Sequence, residues 1–172
     1  MKISIIIPVY NAASTIRRAI ASVDTKQNYE IICINDGSTD ESRTVLEQLQ
    51  KEYPNITLIN QENKGAAASR NKGLAHMTGD VFMFLDADDE FLTSRIDFMA
   101  DFYQKAEDVD IVLGQIAKGK HGEWQPIYTH QEIQKLEKVE LAQCPDIMQS
   151  IGPGGKMFSA QFADLRFDED VV

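Results

Sequence analysis

Four carboxylates fall within the five residues Asp86, Ala87, Asp88, Asp89 and Glu90, directly after the apolar run Val81 to Leu85. Like charges repel at this spacing, and a hard cation such as Mg²⁺ or Mn²⁺, which prefers oxygen ligands, relieves the repulsion. Mg²⁺ commonly takes one or two carboxylates and completes its shell with substrate phosphates. The cluster therefore points to a phosphorylated ligand as well as to an ion. A second reading is an acidic helix start, because carboxylates suit the positive end of a helix dipole. The cluster alone does not separate the two. An EF-hand loop is disfavoured, since Phe91 stands where that loop needs glycine.

Three further groups could join such a site. Asp36 lies in "INDGSTD" after an apolar run. It is either a turn former, as Asp-Gly favours tight turns, or an acceptor for a nucleobase or ribose. Arg70 lies in "GAAASRN", with Lys64 and Gly65 just before it. A cation there either meets a phosphate near a helix N-terminus or faces solvent. Pro8 and Tyr10 close the run "ISIIIPVY", and Tyr10 either lies against a base or packs. His76, His121 and His130 show no metal-ligand spacing. Neither GxxxxGK[ST] nor GxGxxG follows the first apolar run, which disfavours a dinucleotide cofactor.

Positioning these groups requires strands and helices in alternation. Ile3–Ile7, Glu30–Ile34, Ile56–Ile59, Val81–Leu85 and Asp110–Gly114 are short apolar runs that predict strands. Ile16, Ala19, Ile20 and Val23 stripe one helix; Val45, Leu46 and Leu49 stripe a second, with Ser38 and Glu41 spaced as a capping box. Residues 66–76 predict an Ala-rich third helix, and Leu92, Ile96, Met99 and Tyr103 stripe a fourth. This alternation implies βαβ units, a largely parallel sheet and helices on both faces. Ligands of such sheets bind beyond the carboxyl ends of the strands. Tyr10, Asp36 and the acidic cluster all follow strand ends, so they should share one edge. Beyond Gly114 the pattern weakens: residues 117–124 predict a loop or hairpin, 130–142 a charged helix, and 144–151 a short helix broken by "GPGGK".

The bulk numbers agree with one globular unit. The chain has 172 residues, 43% hydrophobic and 26% charged, with a net charge of -10. That sign argues against nucleic acid or an anionic membrane as partner. The two cysteines, Cys33 and Cys144, suggest no disulfide framework, and the apolar start is too short for a membrane span. A cytoplasmic setting follows as the expectation.

Four segments in order, "IIIPVYN", "INDGSTDES", "ENKGAAASRNKGLAHMTGD" and "FLDADD", resemble the successive motifs of family 2 glycosyltransferases with the GT-A fold. The resemblance implies an α/β fold with a Rossmann-like, mostly parallel nucleotide-binding sheet. Residues 1–114 would form the donor-binding part and residues 115–172 an incomplete acceptor-side part. It implies a nucleotide-sugar donor, with a UDP-sugar favoured, and a saccharide or lipid-linked acceptor in bacterial polysaccharide or glycoconjugate synthesis. By matching positions, Pro8 and Tyr10 would border the base, Asp36 would hydrogen-bond it, Arg70 would lie near the nucleotide and Asp86 near the ribose. Asp88, helped by Asp89, would reach a divalent metal, Mn²⁺ or Mg²⁺.

Such enzymes transfer with inversion, which requires a carboxylate as general base. The family's base lies in a Glu-Asp pair shortly after a segment of the form "RFDE". In "LRFDEDVV" we match Glu169 to the Glu that precedes that pair, which places the base after Val172. The competing match makes Glu169-Asp170 the pair, with Asp170 as base. On the first match this chain binds nucleotide and metal but transfers sugar poorly, and any membrane attachment lies in the region that follows. Lys156 in "GGKMF" matches a region near the acceptor side. The main rival is a non-catalytic nucleotide-sugar-binding module. A nucleotidyltransferase needs a Gly-rich basic loop where "PVYNAAST" stands, and an Asp-nucleophile phosphatase needs its paired aspartates after the first strand.

Overall fold

The structure is a computed structural model that describes residues 1–114, 116–120, 123–126 and 154–170. In chain order the elements are β1 (Lys2–Val9), α1 (Ile16–Ala21), β2 (Asn28–Asp36), α2 (Ser42–Glu52), β3 (Ile56–Gln61), α3 (Gly65–Leu74) and β4 (Val81–Phe84). They continue as α4 (Arg95–Lys105), β5 (Ile111–Leu113), β6 (Ala117–Lys120), β7 (Glu123–Pro126) and β8 (Lys156–Ser159).

The six-stranded sheet has the order β3-β2-β1-β4-β8-β5. β1 pairs in parallel with both β2 and β4, and β2 with β3. Its "ISIII" run is β-branched and has both faces covered, which suits a central parallel strand. Ile3, Ile5, Ile7 and Val9 share one core with Ile16 and Ile20 of α1, Leu46 and Leu49 of α2, and Ile96 and Met99 of α4. Ile6 turns to the other face, beside Ile32, Ile34, Leu74 of α3, Phe82 and Phe84. Helices thus cover both faces, as the alternation predicts.

The far side of the sheet differs from expectation. Residues 111–113 do not extend the parallel set. β5 pairs antiparallel with β8, and β8 pairs antiparallel with β4. Residues 156–159, for which the sequence predicts no strand, thus form one within the main sheet. The reason is apolar: Met157 is fully buried, and Phe158 stacks on Phe82 with ring centroids 5.1 Å apart. The sheet consequently draws on residues from both sides of position 114. Of the loop or hairpin expected over residues 117–124, β6 and β7 form the hairpin. The helices expected over 130–142 and 144–151, together with His121, His130 and Cys144, lie outside the described residues. Cys33 is buried, and that burial pushes its thiol up to about 12, which leaves it inert as a nucleophile. Among the described residues no helix is long and apolar enough to cross a membrane.

The seating of α3 on the sheet rests on one glycine. A Cβ on Gly73 would lie 2.3 Å from Ile6 Cγ2 and 3.1 Å from Ile34 Cδ1. Both isoleucines are buried and cannot swing away. Gly73→Ala is therefore expected to destabilise by about 1–3 kcal/mol through overpacking. At ~2–4 °C per kcal/mol for a chain of this size, thermal unfolding should report a drop of several degrees. An unchanged Tm would mean that the helix is not held this closely.

Candidate active site

β1 and β4 are neighbours, yet β1 leads to β2 on one side while β4 lies on the other. Chain order reverses at this point, where open α/β sheets leave a crevice at the carboxyl ends of their strands. A cleft of about 730 Å³ opens there, within the size range of small-molecule sites. Pro8 and Tyr10 border it from β1, Asp36 from β2, Arg70 from α3, and Asp86 and Asp88 from the turn after β4. The structure thus brings six of the seven residues singled out for nucleotide and metal to one cleft. Asp89 is not among those that line it.

The floor is built around Asp36, which is only 3% exposed. Its Oδ1 accepts hydrogen bonds from Gln61 Nε2 at 2.8 Å and Lys64 N at 2.9 Å, and its Oδ2 accepts from Gly65 N at 2.8 Å. The carboxylate thereby satisfies N–H groups at the start of α3 and sits at the positive end of that helix. Gly65 has φ +87°, which only glycine adopts readily, so the backbone can present its N–H inward. Gln61 also donates to Ser69 Oγ at 3.2 Å, which ties β3 to α3 beneath the site. A carboxylate oxygen has more than one acceptor direction, so Asp36 keeps capacity for a ligand N–H or O–H.

The rim was less legible. The expected capping box of Ser38 and Glu41 is not formed. α2 begins at Ser42 with Glu41 as a cap residue that makes no side-chain cap bond. Ser38 Oγ instead accepts from Asn11 N at 3.1 Å, and Asp40 Oδ1 accepts from Ser42 N at 2.9 Å. Bonding to Ser42 holds the Asp40 carboxyl below its usual range. Asn11 has φ +49° and accepts from Thr39 N at 2.8 Å. The loops after β1 and β2 are thus laced together, and this fixes the entrance beside the half-exposed Tyr10. An Asn at a strand end was the available signal, because Asn tolerates left-handed backbone.

The acidic turn is not a helix start. α4 begins only at Arg95, behind Ser94 in left-handed conformation, so that alternative fails. The turn closes through Asp89 N donating to Asp86 O at 3.0 Å. α1 holds it from behind. Arg18 donates to Asp88 O at 3.2 Å and pairs with Glu90 at 2.6 Å, and Phe91 N donates to Ser22 Oγ at 3.0 Å. Asp89, although exposed, has its pKa raised, first by partial desolvation and then by the charges of Asp88 and Asp86. Arg70 offsets part of this charge: its Nη2 lies 2.8 Å from Asp86 Oδ1. Its guanidinium is largely buried over the Phe167 ring, 5.6 Å from the centroid, so the solvent-facing alternative fails too.

Among the described residues no group of three or more His, Cys, Asp or Glu side chains is arranged to hold a metal unaided. The donor set is nevertheless all oxygen, and it crowds negative charge at the cleft mouth. It fits a hard cation that takes one or two carboxylates and completes its shell with ligand phosphates.

The remaining sequence candidates are not among the residues that line the cleft. Lys156 starts β8, and burial lowers its pKa. Glu169 Oε1 accepts from Asn71 Nδ2 at 2.8 Å. Asp170 is exposed, and its N–H donates to Asp168 Oδ1 at 2.9 Å. Asn71 and Phe167 were not anticipated, nor was Arg18. The one available signal was a polar Asn within an Ala-rich helix.

The family model described as "Glycosyl transferase family 2" matches residues 4–167. TagX of Staphylococcus aureus (strain N315) is 35% identical over 178 residues, covering 100% of this chain and 50% of TagX. The chain thus spans about half the length of TagX. The crystal structure of S. aureus TarS 1–349 superposes with a TM-score of 0.82 at 24% identity, covering 99% of this chain and 51% of that one. This likeness shows the GT-A fold. A mannosyltransferase from Pyrobaculum calidifontis, in complex with GDP-Man and Mn²⁺, has a TM-score of 0.57 at 23% identity, covering 67% of this chain and 35% of that one.

Proposed function

The chain belongs to glycosyl transferase family 2, and from that premise we propose that it forms the donor-binding part of a glycosyltransferase that uses a UDP-sugar. The observation that carries this reading is the convergence of Asp36, Arg70, Asp86 and Asp88 on one cleft at the switch point between β1 and β4. The donor class draws support from TarS, which has this fold and has been crystallised with UDP and with UDP-GlcNAc.

Each group suits a part of that donor. Asp36 is fixed by three hydrogen bonds. It can accept from the imide N–H of a uracil without moving, while Pro8 and Tyr10 border the ring. Asp86, steadied by Arg70, presents a carboxylate to the ribose hydroxyls. Asp88, with Asp89 behind it, would hold a divalent metal, Mn²⁺ or Mg²⁺. Such an ion supplies a Lewis acid and charge clamp for a departing diphosphate. The buried Arg70 guanidinium adds fixed positive charge beside the place where negative charge develops. An acceptor hydroxyl on a saccharide or lipid-linked glycan would attack the anomeric carbon directly, with inversion, giving its proton to a carboxylate general base as the bond from that carbon to the nucleoside diphosphate breaks. The engagement of Glu169 by Asn71 supports a positioning part for that residue rather than proton abstraction.

Titration calorimetry tests the reading. UDP should bind saturably in the presence of Mn²⁺, more tightly than about 1 mM, or ~4 kcal/mol, and chelation of the metal should weaken it. Absence of binding to UDP, GDP and their sugars at millimolar concentration would overturn the proposal. Hydrolysis or transfer of a donor sugar by this chain would exclude a non-catalytic binding module.

A further inference from the structure

We propose that Asn71 is a positioning residue for the nucleotide cleft. It fastens residues 167–169 across α3, so that Phe167 holds the Arg70 guanidinium against Asp86. The consequence for ligand affinity rests on the nucleotide reading above; the positioning itself does not.

Asn71 is only 8% exposed, and its carboxamide works in both directions. Its Nδ2 donates to Phe167 O at 2.9 Å and to Glu169 Oε1 at 2.8 Å, and its Oδ1 accepts from Phe167 N at 2.8 Å. The amide thus imitates one rung of a strand pairing and pins the backbone on both sides of a single residue, Phe167. The contact is long-range, with partners 96 positions apart.

The pinned ring has two contacts that matter. Its edge-to-face packing on Phe84, with centroids 5.3 Å apart, anchors it to the strand that leads into the acidic turn. On another side it meets Arg70, whose Cζ is 5.6 Å from the ring centroid. Arg70 Nε is buried and has no hydrogen-bond partner among the described residues. The guanidinium is therefore located by its ion pair with Asp86 and by the aromatic face, with nothing at Nε to fix it. Planar guanidinium groups stack on aromatic rings, and the contact strengthens when water is excluded. If the 167–169 segment lifts, Arg70 loses that wall and swings relative to Asp86.

The simpler alternative is a clip that holds the 163–170 segment down for stability alone. Two measurements separate the ideas. The first needs no ligand: the ¹⁵N-labelled Arg70 Nε–H resonance, assigned with Arg70→Lys, carries the ring-current shift of Phe167, and Phe167→Leu defines its position without the ring. In Asn71→Ala, and in the isosteric Asn71→Asp should alanine not fold, the resonance should move most of the way to the Phe167→Leu position. An unmoved resonance in a folded variant overturns the proposal. The second is a double-mutant cycle on UDP affinity, measured well below the Tm of every variant. Asn71→Ala should weaken UDP by about fivefold with Arg70 present and by less than about twofold in an Arg70→Ala background. The loss of Tm should be similar in both. Equal weakening in the two backgrounds, or none, marks a stability clip and overturns the link to the cleft. If the unaltered chain fails to bind UDP, the nucleotide reading falls, and the resonance alone decides whether Asn71 places the ring.

Discussion

Asp36→Ala should lower stability by about 2–3 kcal/mol and remove measurable UDP binding together. The stability loss follows from the three bonds that the carboxylate accepts. Alanine leaves Lys64 N and Gly65 N without their acceptor and takes one bond from Gln61, which keeps its contact with Ser69. An unsatisfied buried donor costs ~1–3 kcal/mol, and the low end applies here because water can enter the cleft. The start of α3 also loses the negative charge beside its positive end, worth ~0.3–1 kcal/mol. Thermal unfolding should fall by roughly 5–10 °C. Asp36→Asn separates the two effects. It keeps one oxygen, enough for only one of the two α3 amides because Lys64 N and Gly65 N use different oxygens, so only part of the stability returns. Yet its Nδ2 is a donor where a ligand N–H must also donate, so UDP affinity should stay low. An alanine variant that unfolds at the original temperature, or an asparagine variant that binds UDP normally, would remove Asp36 from its assigned place.

How much of this site the sequence disclosed can be argued from the distance between partners. Pro8, Tyr10, Asp36, Asp86 and Asp88 were placed together because each follows a predicted strand, and parallel strands deliver their carboxyl ends to one edge. Arg70 was placed by its position on the helix after Gly65. What stayed hidden was decided by contacts that no local pattern encodes. The Ser38–Glu41 spacing has the form of a capping box, but Asn11, 27 residues earlier, takes the Ser38 hydroxyl. β8 is a four-residue strand preceded by glycines. Its membership of the sheet depends on Phe158 meeting Phe82, which periodicity cannot reveal. The Asn71–Phe167 rung is of the same kind. Local propensity named the elements and the edge; the bracing of the site came from the tertiary structure.

Asp88→Ala should have the opposite profile to Asp36→Ala: little change in stability and a large change in how a metal affects the ligand. Asp88 is exposed, and the hydrogen bond that fixes its position uses its backbone oxygen, which Arg18 holds and alanine retains. Removing an exposed carboxylate from beside Asp86 and Asp89 relieves like-charge repulsion, so stability should stay within the ~0.5 kcal/mol typical of surface changes and Tm should hardly move. Ligand binding should respond quite differently. In the unaltered chain Mn²⁺ should strengthen UDP binding by about tenfold or more, about 1.4 kcal/mol, because a cation shared between Asp88 and the diphosphate links the two affinities reciprocally. In Asp88→Ala the ratio of UDP affinities with and without Mn²⁺ should fall to about one, with metal-free affinity unchanged or slightly improved. Asp89→Ala, one residue further and outside the cleft lining, should lose only part of the effect. If Asp88→Ala keeps the full response to Mn²⁺, the cation is held elsewhere. The charge crowded after β4 would then have to be explained by Arg18 and Arg70 alone, the two cations that meet this turn among the described residues.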